Sequence, residues 1–204
     1  IVFGDWSSDV CSSDLLEACP TLTQRDVKYL SAITAKKIDA RNSSWITNKA
    51  GIKHSRDYGF GLVNAKAMIE KCKDNYTLLS VEDNASVSME DVAVTIPAGT
   101  TKTQTFDISK NLKIEYVYIW HDINTTVSGS EALEMDLTSP SGTTMPIIRE
   151  LSDDSSIDFT SGMRFGAAGF LDENSSGTWK LMIKNKSQSS PMSFEDIGLE
   201  IFGR

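Results

Sequence analysis

The chain has 204 residues, 40% hydrophobic and 24% charged, and its 28 Asp+Glu against 20 Lys+Arg give a formal charge of -8 at pH 7. That is apolar material for one large or two small cores, and four Trp, five Tyr and eight Phe exclude a disordered tail. No run approaches the roughly 18 apolar residues of a membrane-spanning helix, and an acidic chain without a Lys/Arg cluster lacks the basic face that nucleic acid demands.

Ile1 to Phe3 is too short an apolar stretch for a secretory signal, so the natural beginning is expected to lie upstream. From 16 to about 74 the apolar spacing is helical. Thr23 reads as an N-cap for a helix opening at Gln24, with Asp26 at the third helical position, where a carboxylate complements the exposed amides. Val27, Leu30, Ile33 and Thr34 then form one buried stripe. Residues 42–61, rich in Asn, Ser and Gly, read as a loop, and 64–72 as a second helix with Ala65, Met68, Ile69 and Cys72 on its apolar face. Cys11, Cys19 and Cys72 cannot all pair with one another, so no disulfide framework is expected to organise the fold. Cys19 with Cys72 is one bridge the sequence leaves open; otherwise the thiols serve as small buried hydrophobes.

Residues 75–90 are polar and acidic, with Leu78, Leu79 and Val81 as their apolar cluster, and read as a linker packed at one point. Beyond about Val92 the apolar period changes from 3.6 to 2, which marks a domain boundary. Ile114, Tyr116, Tyr118 and Trp120 alternate with Glu115, Val117 and Ile119, the pattern of a strand buried on both faces. Leu133, Met135 and Leu137, then Trp179, Leu181 and Ile183, then Ile197, Leu199 and Ile201 mark half-buried strands. Turn signals such as Pro140-Ser141-Gly142 separate them, and eight or nine strands in an antiparallel sandwich or jelly roll are expected.

Six segments carry a family resemblance. LLEACPTLTQRDVKYL (15–30) and WITNKAGIKHSRDYGFGLVNAKAMI (45–69) resemble the end of a subtilisin-like serine protease domain, from the tail of the helix that bears the catalytic serine to the closing helix. LTSPSGTTM (137–145), Arg149 followed by Asp153, GTWKLMI (177–183) and a last strand ending IFG resemble the P-domain of kexin- and furin-like proteases and their bacterial relatives. The fold this implies is mainly β: a β-sandwich or jelly-roll P-domain (91–204) preceded by a small helical remnant of an α/β domain (16–74) and a linker (75–90). Residues 4–15, GDWSSDVCSSDL, are similar to the translation of a sequencing adapter; 1–15 are therefore set aside as a non-native leader.

The resemblance implies an Asp, His and Ser triad upstream of Leu15, so no catalytic residue is expected in this chain. Gly142-Thr143-Thr144-Met145-Pro146 imitates the family's serine motif but falls inside the sandwich, with Thr where the nucleophile belongs. His54 and His121 are the two histidines, and each reads as structural. Ca2+ is the cofactor the sequence leaves open: Asp153, Asp154, Asp158, Asp172, Glu173 and Asn174 lie in loops able to supply oxygen ligands, although solvated acids explain them as well. A carboxylate in the P-domain pattern aligns with Ala132, beside Glu131. Asn-x-Ser/Thr sequons at Asn42, Asn75, Asn84, Asn124, Asn174 and Asn185 are frequent enough by composition that they do not identify the host.

The expected function is that of a fragment of a secreted or cell-surface subtilisin-like endopeptidase, inactive alone. Its partners would be the parent's own catalytic domain and, through the parent, protein or peptide substrates. The alternative is a stand-alone binding module for carbohydrate or protein, with Tyr116, Tyr118, Trp120 and Trp179 as a stacking platform; the apolar residues between them favour core packing instead.

Overall fold

The computed structural model describes residues 13–90, 94–123, 133–149, 163–187 and 189–204, with backbone only at 122, 123 and 195. Cys11, Asn124, Glu131, Ala132, Asp153, Asp154, Asp158 and most of the adapter-like string lie outside these residues. The chain divides into two compact units, Ile1–Val81 and Glu82–Arg204.

In the first unit, helix α1 (13–18) is followed by α2 (Gln24–Thr34), a small hairpin of β1 (Trp45–Thr47) and β2 (Lys53–Ser55), and α3 (Ala65–Lys73). Thr23 caps α2 and forms a capping box with Asp26, because a hydroxyl and a carboxylate three residues apart each satisfy an amide the helix leaves open. The expected stripe is present: Leu15 of α1, Leu30 of α2 and Met68 of α3 form the core, with Leu22, Val27, Ile33, Ile69, Cys72 and Tyr76 packed against it. Leu15, set aside with the leader, is therefore a core residue at 0% exposure. Cys19 and Cys72 form a disulfide across a 53-residue separation, which replaces the buried-thiol alternative.

The segment 42–61 is not a plain loop. Trp45 to Thr47 pairs with Ser55 to Lys53, and the Asn48 carboxamide turns the chain between them by accepting from the Ala50 and Ile52 amides at 3.0 and 2.8 Å. The Tyr58-Gly59-Phe60-Gly61 turn that follows docks through backbone pairing of Lys36 with Leu62. A Cβ on Gly61 would lie 2.5 Å from the Lys36 carbonyl oxygen, at a φ of +118°, so the turn accepts glycine alone.

The second unit is an antiparallel sandwich of nine strands among the described residues. One sheet runs β5 (Thr101–Ile108), β10 (Gly177–Asn185), β7 (Leu133–Thr138), β8 (Thr144–Ile148). The other runs β3 (Asp83–Met89), β11 (Met192–Gly203), β6 (Ile114–Ile123), β9 (Met163–Ala167), with β4 (Val94–Ile96) on β11. Phe106, Leu133, Met135, Leu137, Trp179, Leu181 and Ile183 from the first sheet and Val117, Ile119, Ile197, Leu199 and Ile201 from the second are each buried to 1% exposure or less, apart from Ile197 at 2%. Each such side chain contributes about 1.5–3 kcal/mol of transfer free energy, and period-2 alternation places them all on inner faces.

Two expectations change here. Residues 83–89, assigned to the linker, form β3 and pair with β11 from Met89↔Ile197 to Asp83↔Gly203. Within the linker's apolar cluster, Val81 is 88% and Leu78 42% exposed, while Leu79 is half-buried and its amide donates to Asp26. On one face of β6 Val117, Ile119 and His121 are buried; Tyr116, Tyr118 and Trp120 are half-buried on the other.

Candidate functional site

The motif Ser139-Pro140-Ser141-Gly142-Thr143 closes the hairpin between β7 and β8, with the Gly142 amide donating to Ser139 O and the Ser139 amide to Thr143 O, each at 2.9 Å. Its three hydroxyls converge on one carboxylate. Ser139 Oγ and Ser141 Oγ donate to Glu173 Oε2 at 2.6 and 2.5 Å, and Thr143 Oγ1 donates to Glu173 Oε1. Glu173 is 4% exposed, so it is not a solvated acid; donated hydroxyls stabilise the buried charge in place of water.

The loop that carries Glu173 also stitches the sandwich. The Ile114 amide donates to Glu173 O at 2.9 Å, the Asp172 amide to Ile114 O at 2.8 Å, and Trp179 Nε1 to Ser175 O at 2.8 Å. Arg204 holds Asp172 through Nη2 at 2.5 Å. Asn174 is exposed. Asp172 and Glu173 thus have protein partners already, and among the described residues no group of three or more His, Cys, Asp or Glu is placed to hold a metal ion.

The histidines occupy separate environments. His54, on β2, packs edge-on against Phe60 at 5.1 Å, and burial pushes its imidazole below the usual range. His121 is fully buried on the inner face of β6, stacked on Phe165 at 5.4 Å and edge-on to Phe194 at 5.8 Å. Burial lowers it to about 4, so it is neutral at pH 7. Thr144, the residue of the serine-like motif, is exposed and shares a 2.9 Å hydroxyl contact with Thr138, an arrangement of two surface hydroxyls and not of a nucleophile with its base.

The four aromatic residues of the platform separate. Trp179 is 0% exposed in the core, edge-on to Phe170 at 5.1 Å. Tyr116, Tyr118 and Trp120 share the outer face of β6 with Phe202, Glu200 and Gly198 of β11 as cross-strand partners. There the Arg164 guanidinium covers the Tyr118 ring at 3.8 Å and pairs with Glu200, and the Trp120 indole lies across Gly198, where a Cβ would fall 2.2 Å from the ring. Core packing, expected for all four, holds for Trp179 alone.

In the first unit Asp26, expected only as a helix-terminal charge, is the acceptor of several hydrogen bonds. It is 0% exposed and accepts from the Thr23 amide (2.8 Å), the Thr23 hydroxyl, the Leu79 amide (2.8 Å) and the Tyr76 hydroxyl (2.9 Å). Burial by itself raises its carboxyl, but these donors outweigh it and hold Asp26 below the usual carboxylate range. No pattern in the sequence joins Asp26 to residues 76–79; the capping position was the one visible signal. Of the sequons, Asn75, Asn84 and Asn174 are exposed, Asn42 is half-buried and Asn185 is fully buried, donating to Ile96 O at 3.0 Å and Ser190 O at 2.9 Å.

Residues 117–201 match the family described as the Proprotein convertase P-domain. Over nearly the whole chain there is 29% identity with kexin of Saccharomyces cerevisiae, covering 93% of this chain and 24% of that protein. Human furin is 27% identical over 86% of this chain and 22% of its own length. The chain therefore spans about a quarter of the length of these relatives. A crystal structure of a serine protease of Aeromonas sobria superposes with a TM-score of 0.81 at 19% identity, covering 97% of this chain and 43% of that one. A second structure, of that protease in complex with the chaperone ORF2, gives 0.82 at 18% identity and the same coverage.

Proposed function

We propose, from the match of residues 117–201 to the Proprotein convertase P-domain, that the chain is the C-terminal part of a secreted or cell-surface subtilisin-like serine endopeptidase. In this reading the sandwich stabilises and regulates the catalytic domain of its own parent, and peptide-bond cleavage belongs to upstream residues. The observation that carries it is that the likeness to kexin extends over 93% of the chain, well beyond the P-domain match, so both units correspond to one stretch of a protease.

The first unit supports the same reading by what it lacks. Three of its apolar side chains are fully buried, Leu15, Leu30 and Met68, while Leu16, Leu62 and Val63 are 41, 57 and 44% exposed. Exposed large apolar side chains beside so small a core are what helices show when the sheet they cover is elsewhere.

Solvatochromic dye binding and sedimentation of the 204-residue chain test this. The chain is expected to bind the dye and to self-associate at high concentration. A monomer that ignores the dye contradicts the reading, and a glycan-array signal with that result supports the binding-module alternative.

A further inference from the structure

We propose that the Cys19–Cys72 disulfide is a redox-sensitive clasp on which the first unit's fold depends, so that a dithiol reductant unfolds this unit and leaves the sandwich folded. The core of the unit takes one side chain from each helix: Leu15 from α1, Leu30 from α2 and Met68 from α3. Cys19 follows Leu15 by four residues and Cys72 follows Met68 by four, so the bridge closes on the helical turn next to each of these core residues. It therefore ties α1 to α3 directly beside the contact that α2 completes.

The balance of burial makes the clasp decisive. Among the described residues, three apolar side chains are buried in the first unit against twenty-five in the second. A unit with so small a core needs a staple, and closing a loop of 53 residues removes a large share of the unfolded chain's freedom. The sandwich draws on no cysteine, since all three lie at positions 11, 19 and 72. Cys19 and Cys72 are each half-buried and not enclosed, so the bond is open to attack by a dissolved dithiol. One thiolate of the reductant attacks a cystine sulfur to give a mixed disulfide, and the second closes a ring and releases the other cysteine. Two electrons and two protons pass to Cys19 and Cys72, and the dithiol leaves as its cyclic disulfide.

The test is hydrogen exchange by mass spectrometry on the full chain carrying Cys11→Ser, which keeps a third thiol out of exchange, with and without dithiothreitol at one pH. Amides of α2 and α3 are expected to lose protection by roughly a thousandfold on reduction, while those of β10 and β11 keep theirs. Cys19→Ser/Cys72→Ser in the same background is expected to reproduce the reduced pattern without reductant, and reoxidation to restore protection. The proposal fails if reduced α2 and α3 stay protected, if they are unprotected already when oxidised, or if the sandwich loses protection with them. It rests on the first unit's own contacts and stands even if the protease reading falls.

Discussion

At the scale of single residues, three buried polar groups hold the two units. Glu173 draws in the three hydroxyls of the Ser139 to Thr143 turn. Removing it leaves buried donors without an acceptor, at about 1–3 kcal/mol for each that water cannot reach. Glu173→Ala is expected to cost the sandwich about 3 kcal/mol in a denaturant titration, and Glu173→Gln less, because the hydroxyls can rotate to share the remaining oxygen. A loss under about 0.5 kcal/mol for Glu173→Ala would deny the turn its anchor. Asp26 does in the first unit what Glu173 does in the second: its lowered pKa contributes stability present above the ordinary Asp value and lost as pH falls through the folded one.

His121 gives the same direction of pH dependence from the opposite cause, burial disfavouring its charged form. Its folded pKa, near 4 against the ordinary 6.5, means that the unfolded chain binds the proton more readily between those values. Stability is therefore full above about pH 6.5, falls as pH drops through this window, and levels off below about 4, with up to ~3 kcal/mol at stake. His121→Phe is expected to flatten that part of the stability-against-pH curve of the sandwich. An unchanged slope in the variant would assign the dependence to other groups.

At the scale of elements, α2, α3 and the long sandwich strands were legible because cap, period and alternation agree in each. Thr23 and Asp26 predict the start of α2, and Trp179, Leu181 and Ile183 predict the inner face of β10. Strand β3 was missed because its inward residues are small or half-buried: Ala85, Val87 and Met89 alternate with Asn84, Ser86 and Ser88, a pattern weak in hydrophobicity though correct in period. The β1/β2 hairpin has three residues per strand, too few for any period to register.

Strand β6 taught a different lesson. Apolar residues on both sides leave undecided which face meets the core, and the signal sat on its neighbour: Gly198, mid-strand in β11, makes room for Trp120. Glycine in a strand costs intrinsic stability, so its place is explained by the ring that lies on it. Gly198→Val is expected to lift Trp120 off β11, shift its fluorescence to the red and destabilise the sandwich by about 1–3 kcal/mol. An unshifted spectrum would place the indole elsewhere.

At the scale of the whole molecule, the candidate site was legible chiefly as a family pattern. The SPSGT motif was visible as a turn, but the acid it serves lies 30 to 34 residues away in sequence, and a lone Glu in a polar loop reads as solvated until the hydroxyls are seen around it. The Cys19–Cys72 bridge stayed one of two alternatives for the same reason, since two helices must fold before the cysteines come within a Cα separation of 6.5 Å. The molecule joins a sandwich to a helical unit whose described core is three residues, and kexin aligns with both as one stretch.

The central claim is that this stretch continues upstream into a subtilisin-like catalytic domain, and sequencing the native locus upstream of the codon for Leu15 tests it most directly. The account predicts a reading frame encoding the family's serine motif, G-T-S-x-A-x-P, just upstream of Leu15, preceded by the segments bearing the catalytic His and Asp. A frame that enters an unrelated domain, or a start codon with no protease segment before it, would contradict it.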